Sequence, residues 1–192
     1  MRWTAKTTCE TDMSHFDEAL VHVVSLEGGY SNDPADSGGE TNRGITVAVA
    51  RAAGYAGKMI DMTPLDARDI YRKRYWNALN LDTISALDFS LALKLFDAGV
   101  NVGVKKAGEW VQRALNVLNN EGVYWPDVTV DGVLGSNTIA ALNALHARRG
   151  SDGMAVLRRG VNCLQGSFYI TLAEGRKKDE RFVYGWLKQR VL

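Results

Sequence analysis

One stretch of this 192-residue chain is apolar on nearly every side, and it constrains the fold more than any other stretch. Between Ala86 and Val100, apolar side chains such as Leu91, Leu95 and Phe96 fall at all angles around a helix. A helix that is apolar all round is enclosed by other elements of the protein. The stretch is therefore predicted to be a buried helix at the centre of the core.

Amphipathic helical patterns occupy most of the chain on either side of this stretch. Apolar residues recur at helical spacing, and capping residues such as Ser14, Thr63 and Ser136 precede several of the patterns. The only segment with strand character lies at 128–135. The apolar share is 46%, and no apolar run reaches the length that spans a bilayer, so a globular protein without stable membrane insertion is expected. Besides the central stretch, the predicted helices cover residues 14–27, 46–53, 63–76, 105–118, 136–148, 151–174 and 179–192.

A polar, glycine-rich stretch at residues 27–46 interrupts the helical pattern. It reads EGGYSNDPADSGGETNRGIT and contains five glycines and four acids. Residues that tolerate unusual backbone angles are typical of turns and surface loops. The predicted fold is therefore all-α with a small irregular or β-like lobe near residues 30–46, and this lobe is expected to form the wall of a cleft.

Glu27 stands where the first predicted helix meets this lobe. A partly desolvated carboxyl has a raised pKa, so it can hold a proton near neutral pH and act as a general acid. A solvated glutamate at a helix end is the alternative, and helix position alone favours it. The chain has no HExxH, P-loop, GxGxxG or Ser-His-Asp arrangement, and its cysteines, Cys9 and Cys163, are far apart. No metal, cofactor or disulfide is expected.

The order of residues after Glu27 carries a family resemblance. Glu-Gly-Gly-Tyr, Asn-Asp-Pro-x-Asp-x-Gly-Gly-x-Thr and Gly-Ile-Thr follow one another within twenty residues, and this order resembles the signature of glycoside hydrolase family 108, a family of phage and bacterial N-acetylmuramidases. Segments beginning at Tyr71, Asp97 and Trp110 look like later family blocks, and VDGxxGxxT from Val130 is similar to a peptidoglycan-binding module. The resemblance covers nearly the whole chain from Met13 and implies a lysozyme-like helical fold.

The resemblance also implies roles for individual residues. It makes Glu27 the catalytic acid, and glycosidases commonly use a second carboxylate. Asp36 is the first candidate for that carboxylate, because the order Glu27, Asp36, Thr41 resembles that of phage lysozymes with a last gap one residue shorter. Asp33 is the alternative, and either aspartate could instead stabilise a turn. The expected substrate-binding residues, each of which could instead brace the local structure, are Tyr30, Thr41, Asn42, Thr46 and Asn101.

The implied function is hydrolysis of the β-1,4 bond between N-acetylmuramic acid and N-acetylglucosamine by a monomeric phage endolysin. The expected organisation is an extension at 1–12, a muramidase region at 13–102 and a peptidoglycan-binding region at 103–192 that packs on it. The first residues lack the apolar core of a signal peptide, so the protein is expected in the host cytoplasm before it reaches the wall; Met13 is an alternative start. A lytic transglycosylase and a non-catalytic wall-binding module remain open alternatives.

The net charge of +1 is unevenly distributed along the chain. Residues 146–192 carry ten Lys and Arg against four Asp and Glu, whereas the rest of the chain carries 13 against 18. A basic end of this kind attracts an anionic polymer or is simply a solvated helix face. Because no nucleic-acid reader motif accompanies these charges, peptidoglycan is the expected partner and nucleic acid is not.

Overall fold

The computed structural model describes residues 13–24, 29–32 and 39–191. The predicted extension at 1–12 lies outside them. The described residues form a helical protein with a single short hairpin, which confirms the predicted all-α class with a small β-like lobe. The helices are α1 (His15–Val24), α2 (Val47–Ala53), α3 (Pro64–Tyr71), α4 (Leu81–Leu87), α5 (Phe89–Val102), α6 (Val104–Leu118), α7 (Ser136–Gly175) and α8 (Glu180–Arg190); a π-helix follows at Arg72–Trp76, and 3-10 helices lie at Met59–Asp61, Asn77–Leu79 and Lys177–Asp179.

The centre of the core is α5, as the sequence predicts. Leu91, Leu95 and Phe96 are fully buried, and α5 contacts α1, α4, α6 and α7. Three rings from other elements meet the ring of Phe96 edge-on, an arrangement that stabilises aromatic pairs beyond the area they bury. Their centroids lie 5.6 to 6.2 Å from that of Phe96, and they belong to Trp76, Phe16 and Tyr71.

The predicted central helix begins later than its apolar pattern indicates, because Asp88 divides the pattern into two helices. The backbone of Asp88 is extended, and its carboxylate accepts the amide hydrogen of Leu91 at 2.6 Å, so Asp88 is the N-cap of α5. The same carboxylate pairs with Arg158 of α7 at 2.9 Å. At its other end α5 continues to Val102, two residues past the end of the predicted stretch at Val100.

The strands lie in the glycine-rich lobe and not at 128–135, where strand character was predicted. β1 (Thr41–Asn42) pairs antiparallel with β2 (Ile45–Thr46), and Ser31 adds an isolated bridge to Thr41. The turn residues Arg43 and Gly44 have φ of 51° and 72°, as tight hairpin turns require. Segment 128–135 stays irregular because side chains of α6, and not a partner strand, satisfy several of its backbone groups.

The C-terminal half is built on the contact between α6 and α7. A kink at Gly150, with φ of 55°, separates the two helices predicted at 136–148 and 151–174. Gly108 of α6 is packed against the loop before α7, because a Cβ at this position would lie 2.2 Å from the Gly132 carbonyl oxygen. Among the residues described, none of the helices is both long enough and apolar enough to span a bilayer.

Candidate active site

A polar cavity of about 430 Å³ opens where α1 ends beside the hairpin. Glu27, Asp36 and Asp33, the predicted catalytic residue and its two candidate partners, lie outside the described residues. Val24 and Gly29, the described residues that precede and follow Glu27 in the chain, both line the cavity. Its other lining residues are Tyr30, Asn42, Arg43, Ile60 and Met62.

Tyr30 lies on the open side of this cavity, where 40% of the residue is exposed. Its hydroxyl donates a hydrogen bond to Glu40 Oε1 at 2.8 Å, and this contact raises the pKa of Tyr30. Glu40 was not predicted as a site residue. The signal available in the sequence was the place of Glu40 in the polar stretch at 27–46. In the structure its backbone carbonyl accepts from the Val47 amide at 2.8 Å, which holds the residue beside the hairpin.

Asn42 braces the cavity wall from within. The residue is 6% exposed, and its Nδ2 donates to the Met59 carbonyl at 2.6 Å and more weakly to that of Ile60 at 3.5 Å. These bonds join β1 to the 3-10 helix at Met59–Asp61. A buried carbonyl left unpaired costs about 1 to 3 kcal/mol, so the amide of Asn42 stabilises this junction.

Arg43 is a second site residue that sequence reasoning missed. Its Nε donates to the Met62 carbonyl at 3.2 Å, and its own carbonyl accepts from the Tyr71 hydroxyl at 3.0 Å. Arg43 and Val24 also line an adjoining, more apolar cavity of about 340 Å³. The glycine that follows Arg43 was the available signal, because a two-residue hairpin turn needs positive φ at both of its positions and favours glycine there.

The other three predicted substrate-binding residues do not line the polar cavity. Thr41 Oγ1 donates to the Gly39 carbonyl at 3.3 Å, and Thr46 caps α2 by accepting from the Val49 amide at 3.4 Å. Asn101 Oδ1 accepts from the Tyr169 hydroxyl at 2.7 Å, which joins α5 to α7. All three therefore brace local structure, and their binding of substrate stays a prediction.

The described wall of the cavity offers hydrogen-bonding groups at an open surface beside apolar side chains. Hydroxyl, amide, carboxylate and guanidinium groups stand at or next to its edge, a set that suits a polar ligand with many hydroxyls. Within residues 13–24, 29–32 and 39–191, no three His, Cys, Asp or Glu side chains converge as they would around a metal ion.

Comparisons with known proteins find matches for two segments of the chain and for its overall structure. Residues 20–103 match the glycosyl hydrolase 108 family, and residues 106–191 match a family described as a predicted peptidoglycan domain. Ten chains of solved structures match; one is SagA of Brucella abortus, with 27% identity over 91% of this chain and 95% of its own, and a TM-score of 0.58. A search of curated proteins gives no match.

These matches define the class of the protein as a glycoside hydrolase that acts on peptidoglycan. More specifically, residues 20–103 resemble glycosyl hydrolase family 108, and the segment that follows resembles a predicted peptidoglycan domain.

Proposed function

We propose that the protein hydrolyses the β-1,4 bond between N-acetylmuramic acid and N-acetylglucosamine, with Glu27 as the general acid. The observation that supports this role is the position of Glu27 in the chain. It falls between Val24 and Gly29, which both line the polar cavity, and inside the segment that matches the glycosidase family. Glycosidases need a carboxylic acid beside the glycosidic oxygen that leaves.

In this proposal, Glu27 protonates the glycosidic oxygen as the bond to the anomeric carbon breaks, and a water completes hydrolysis. A general acid has to hold its proton near neutral pH, so this role requires a raised pKa of Glu27. Asp36 is the proposed second carboxylate and Asp33 its alternative. Tyr30 and Asn42 are the proposed sugar contacts that line the cavity.

The release of reducing sugar ends from purified sacculi tests the role of Glu27. Glu27→Gln keeps the size of the side chain and removes the acid, so the initial rate should fall about a thousandfold, within the range for loss of a general acid. Glu18→Gln is the matched control, because it makes the same change within α1 and should leave the rate unchanged. A Glu27→Gln rate within a few-fold of that of the unmodified protein would refute the assignment.

The second carboxylate is tested by the same assay on two aspartates. We expect Asp36→Asn to lower the rate by about a hundredfold, and Asp33→Asn to lower it only a few-fold. The reverse order of effects would transfer the role to Asp33.

We also propose that the protein is a monomeric phage endolysin that gathers in the host cytoplasm and reaches the wall when another protein permeabilises the inner membrane. The support is the resemblance of its signature to phage muramidases and the presence of a glycosidase and a peptidoglycan domain in one chain. Cells that express the protein should lyse only after their inner membrane is permeabilised. Lysis without that treatment would contradict the proposal, and analytical ultracentrifugation tests the monomer.

A further inference from the structure

An apolar groove of about 650 Å³ lies between α6 and α7, and it shares no residue with the cavities beside α1. Its volume falls within the usual range for sites that enclose a small ligand. The apolar side chains that line it come from both helices and from the loop between them. They are Ala114, Val117 and Leu118 of α6, Val156 and Leu164 of α7, and Val130 of the loop.

The floor of the groove is formed by small residues. A Cβ on Gly160 would lie 3.3 Å from the Cβ of Ala114, which is tighter than an ordinary contact, so the glycine favours the close approach of α7 to α6. Larger side chains stand on either side of this contact. Val117 is 81% exposed and Val130 is 43% exposed, which leaves apolar surface open to solvent beside the floor. A contiguous exposed apolar surface of this kind is typical of a binding site.

The loop that closes one end of the groove is held in place by α6. Asn116 donates to the Val128 carbonyl and accepts from the Val128 amide, both at 2.8 Å. Gln112, which is 1% exposed, accepts from the amides of Asp131 and Gly132 at 3.0 and 2.8 Å. The wall that contains Val130 is therefore formed before a ligand arrives, and binding does not have to order it.

One arginine stands on each wall of the groove, Arg113 on α6 and Arg159 on α7. Both are exposed, and neither forms a hydrogen bond or ion pair with another residue in the described part of the chain. Glu109, the acid one turn before Arg113, pairs with Lys106 at 2.8 Å instead. A guanidinium group binds a carboxylate through two parallel hydrogen bonds, so the two walls are suited to a ligand with more than one carboxylate.

We propose that this groove binds the stem peptide of peptidoglycan. The stem peptide combines alanine methyl groups, which match the apolar floor, with free carboxylates, which match Arg113 and Arg159. The glycan strand does not combine these groups, because its sugars are rich in hydroxyls and the carboxyl of muramic acid is bonded to the peptide. The inference rests on peptidoglycan being the ligand of the protein, and it does not depend on the role of Glu27.

Calorimetric titration of the full-length protein with the free tetrapeptide L-Ala-γ-D-Glu-meso-diaminopimelyl-D-Ala tests the groove without any bond cleavage. Arg113→Gln and Arg159→Gln should each raise Kd about tenfold, and the double variant about a hundredfold, as expected for loss of charged hydrogen bonds. Arg74→Gln, which makes the same change at an exposed arginine of the π-helix, should leave Kd unchanged. Unchanged binding by the double variant, or binding of chitotetraose but not of the tetrapeptide, would overturn the proposal.

Cys163 offers a second readout, because it is an exposed free thiol that lines the groove. In a Cys9→Ser background, saturating tetrapeptide should slow alkylation of Cys163 at least about tenfold, whereas chitotetraose should not slow it. An unchanged rate at saturating tetrapeptide would overturn the groove as the binding site. Parallel digestion of sacculi by the same protein separates the two proposals. Release of sugar ends without tetrapeptide binding refutes the groove alone, and tetrapeptide binding without release of sugar ends refutes the proposed hydrolysis alone.

Discussion

The polar cavity beside α1 and the apolar groove between α6 and α7 differ in how their walls are built. Short segments form the cavity wall, and side-chain bonds to backbone carbonyls hold them together, as Asn42 and Arg43 do with Met59 and Met62. The groove lies between α6 and α7, two helices that pack closely against each other. Hydrogen bonds in the cavity wall fix the positions of its functional groups, whereas the packing of two helices fixes the shape of the groove. If both proposals hold, chemistry and wall attachment reside in different halves of the molecule.

Gly108→Ala should have the largest effect on stability. It changes α6, one of the two helices that form the groove. The added Cβ would lie 2.2 Å from the Gly132 carbonyl oxygen, so backbone has to move. We expect the free energy of unfolding to fall by about 3 kcal/mol in chemical denaturation. Gly185→Ala in α8, where nothing lies within 4 Å of the added methyl, is the control and should stabilise by about 0.5 to 1 kcal/mol. Equal stability of the two variants would contradict the close packing.

Asn42→Ala is the corresponding change on the cavity side. It removes the amide that pairs with the buried Met59 carbonyl, so we expect a loss of about 2 kcal/mol. Sacculus hydrolysis should fall while tetrapeptide binding is retained, because the groove shares no residue with the cavity. Hydrogen exchange at the β1 and β2 amides checks the cause and should accelerate. A parallel loss of tetrapeptide binding would show that the two sites are not independent.

Lys94→Met tests the contact between the two halves, where Lys94 of α5 donates to the Arg190 carbonyl of α8. Burial lowers the pKa of Lys94 from 10.5 to about 8. Because the pKa of Lys94 is lower in the folded protein than in the unfolded chain, protonation of Lys94 reduces the stability of the fold. This loss of stability is fully present below pH 8 and disappears as the pH rises to 10.5. With solvent screening of this partly exposed group, the cost is about 1 to 2 kcal/mol.

Chemical denaturation across this pH range measures the effect. The free energy of unfolding of the unmodified protein, minus that of Lys94→Met, should rise between pH 8 and 10.5. The control is Lys188→Met, which changes an exposed lysine of α8, and the corresponding difference should stay constant. A constant difference in both pairs would mean that Lys94 is well solvated in the folded protein.

Tyr30→Phe should have the smallest effect of the series. The lost hydrogen bond to Glu40 is exposed, so we expect only a small change in the free energy of unfolding. The rate of sacculus hydrolysis should fall a few-fold, because the variant keeps the ring but loses a hydroxyl at the cavity. Tyr184→Phe, at an exposed tyrosine of α8, should change neither quantity. A larger loss of stability than of activity would make Tyr30 a structural residue.

The core was predictable because burial leaves a direct pattern in sequence, as the apolar residues of α5 show. The cap at Asp88 was not, since a single aspartate inside an apolar run shows no helix boundary without its bond to Leu91. Segment 128–135 was misread for a related reason: its hydrogen-bonding partners are Gln112 and Asn116, more than ten positions earlier in the chain. Pattern rules describe local spacing, and these contacts depend on tertiary packing.

The residues of the two sites also differ in whether the sequence alone could predict them. Tyr30 and Asn42 were predicted at the cleft and line the cavity, because both belong to the polar stretch that forms its wall. Glu40 and Arg43 belong to the same stretch, yet their contacts with Tyr30 and Met62 depend on how the hairpin folds. The groove left no sequence signal, since it exists only where Ala114 of α6 and Gly160 of α7, far apart in the chain, meet. The roles of Glu27 and Asp36 stay predictions.

The central claim, hydrolysis by Glu27 of the bond that follows N-acetylmuramic acid, is tested most directly by mass spectrometry of the muropeptides released from purified sacculi. We predict fragments that end in reducing N-acetylmuramic acid, formed by the unmodified protein and by Glu18→Gln but not by Glu27→Gln. Fragments that end in 1,6-anhydro-N-acetylmuramic acid would identify a transglycosylase, and fragments that end in reducing N-acetylglucosamine would place the cut at the other glycosidic bond. Either of these products, or reducing N-acetylmuramic acid released by Glu27→Gln, would contradict the claim.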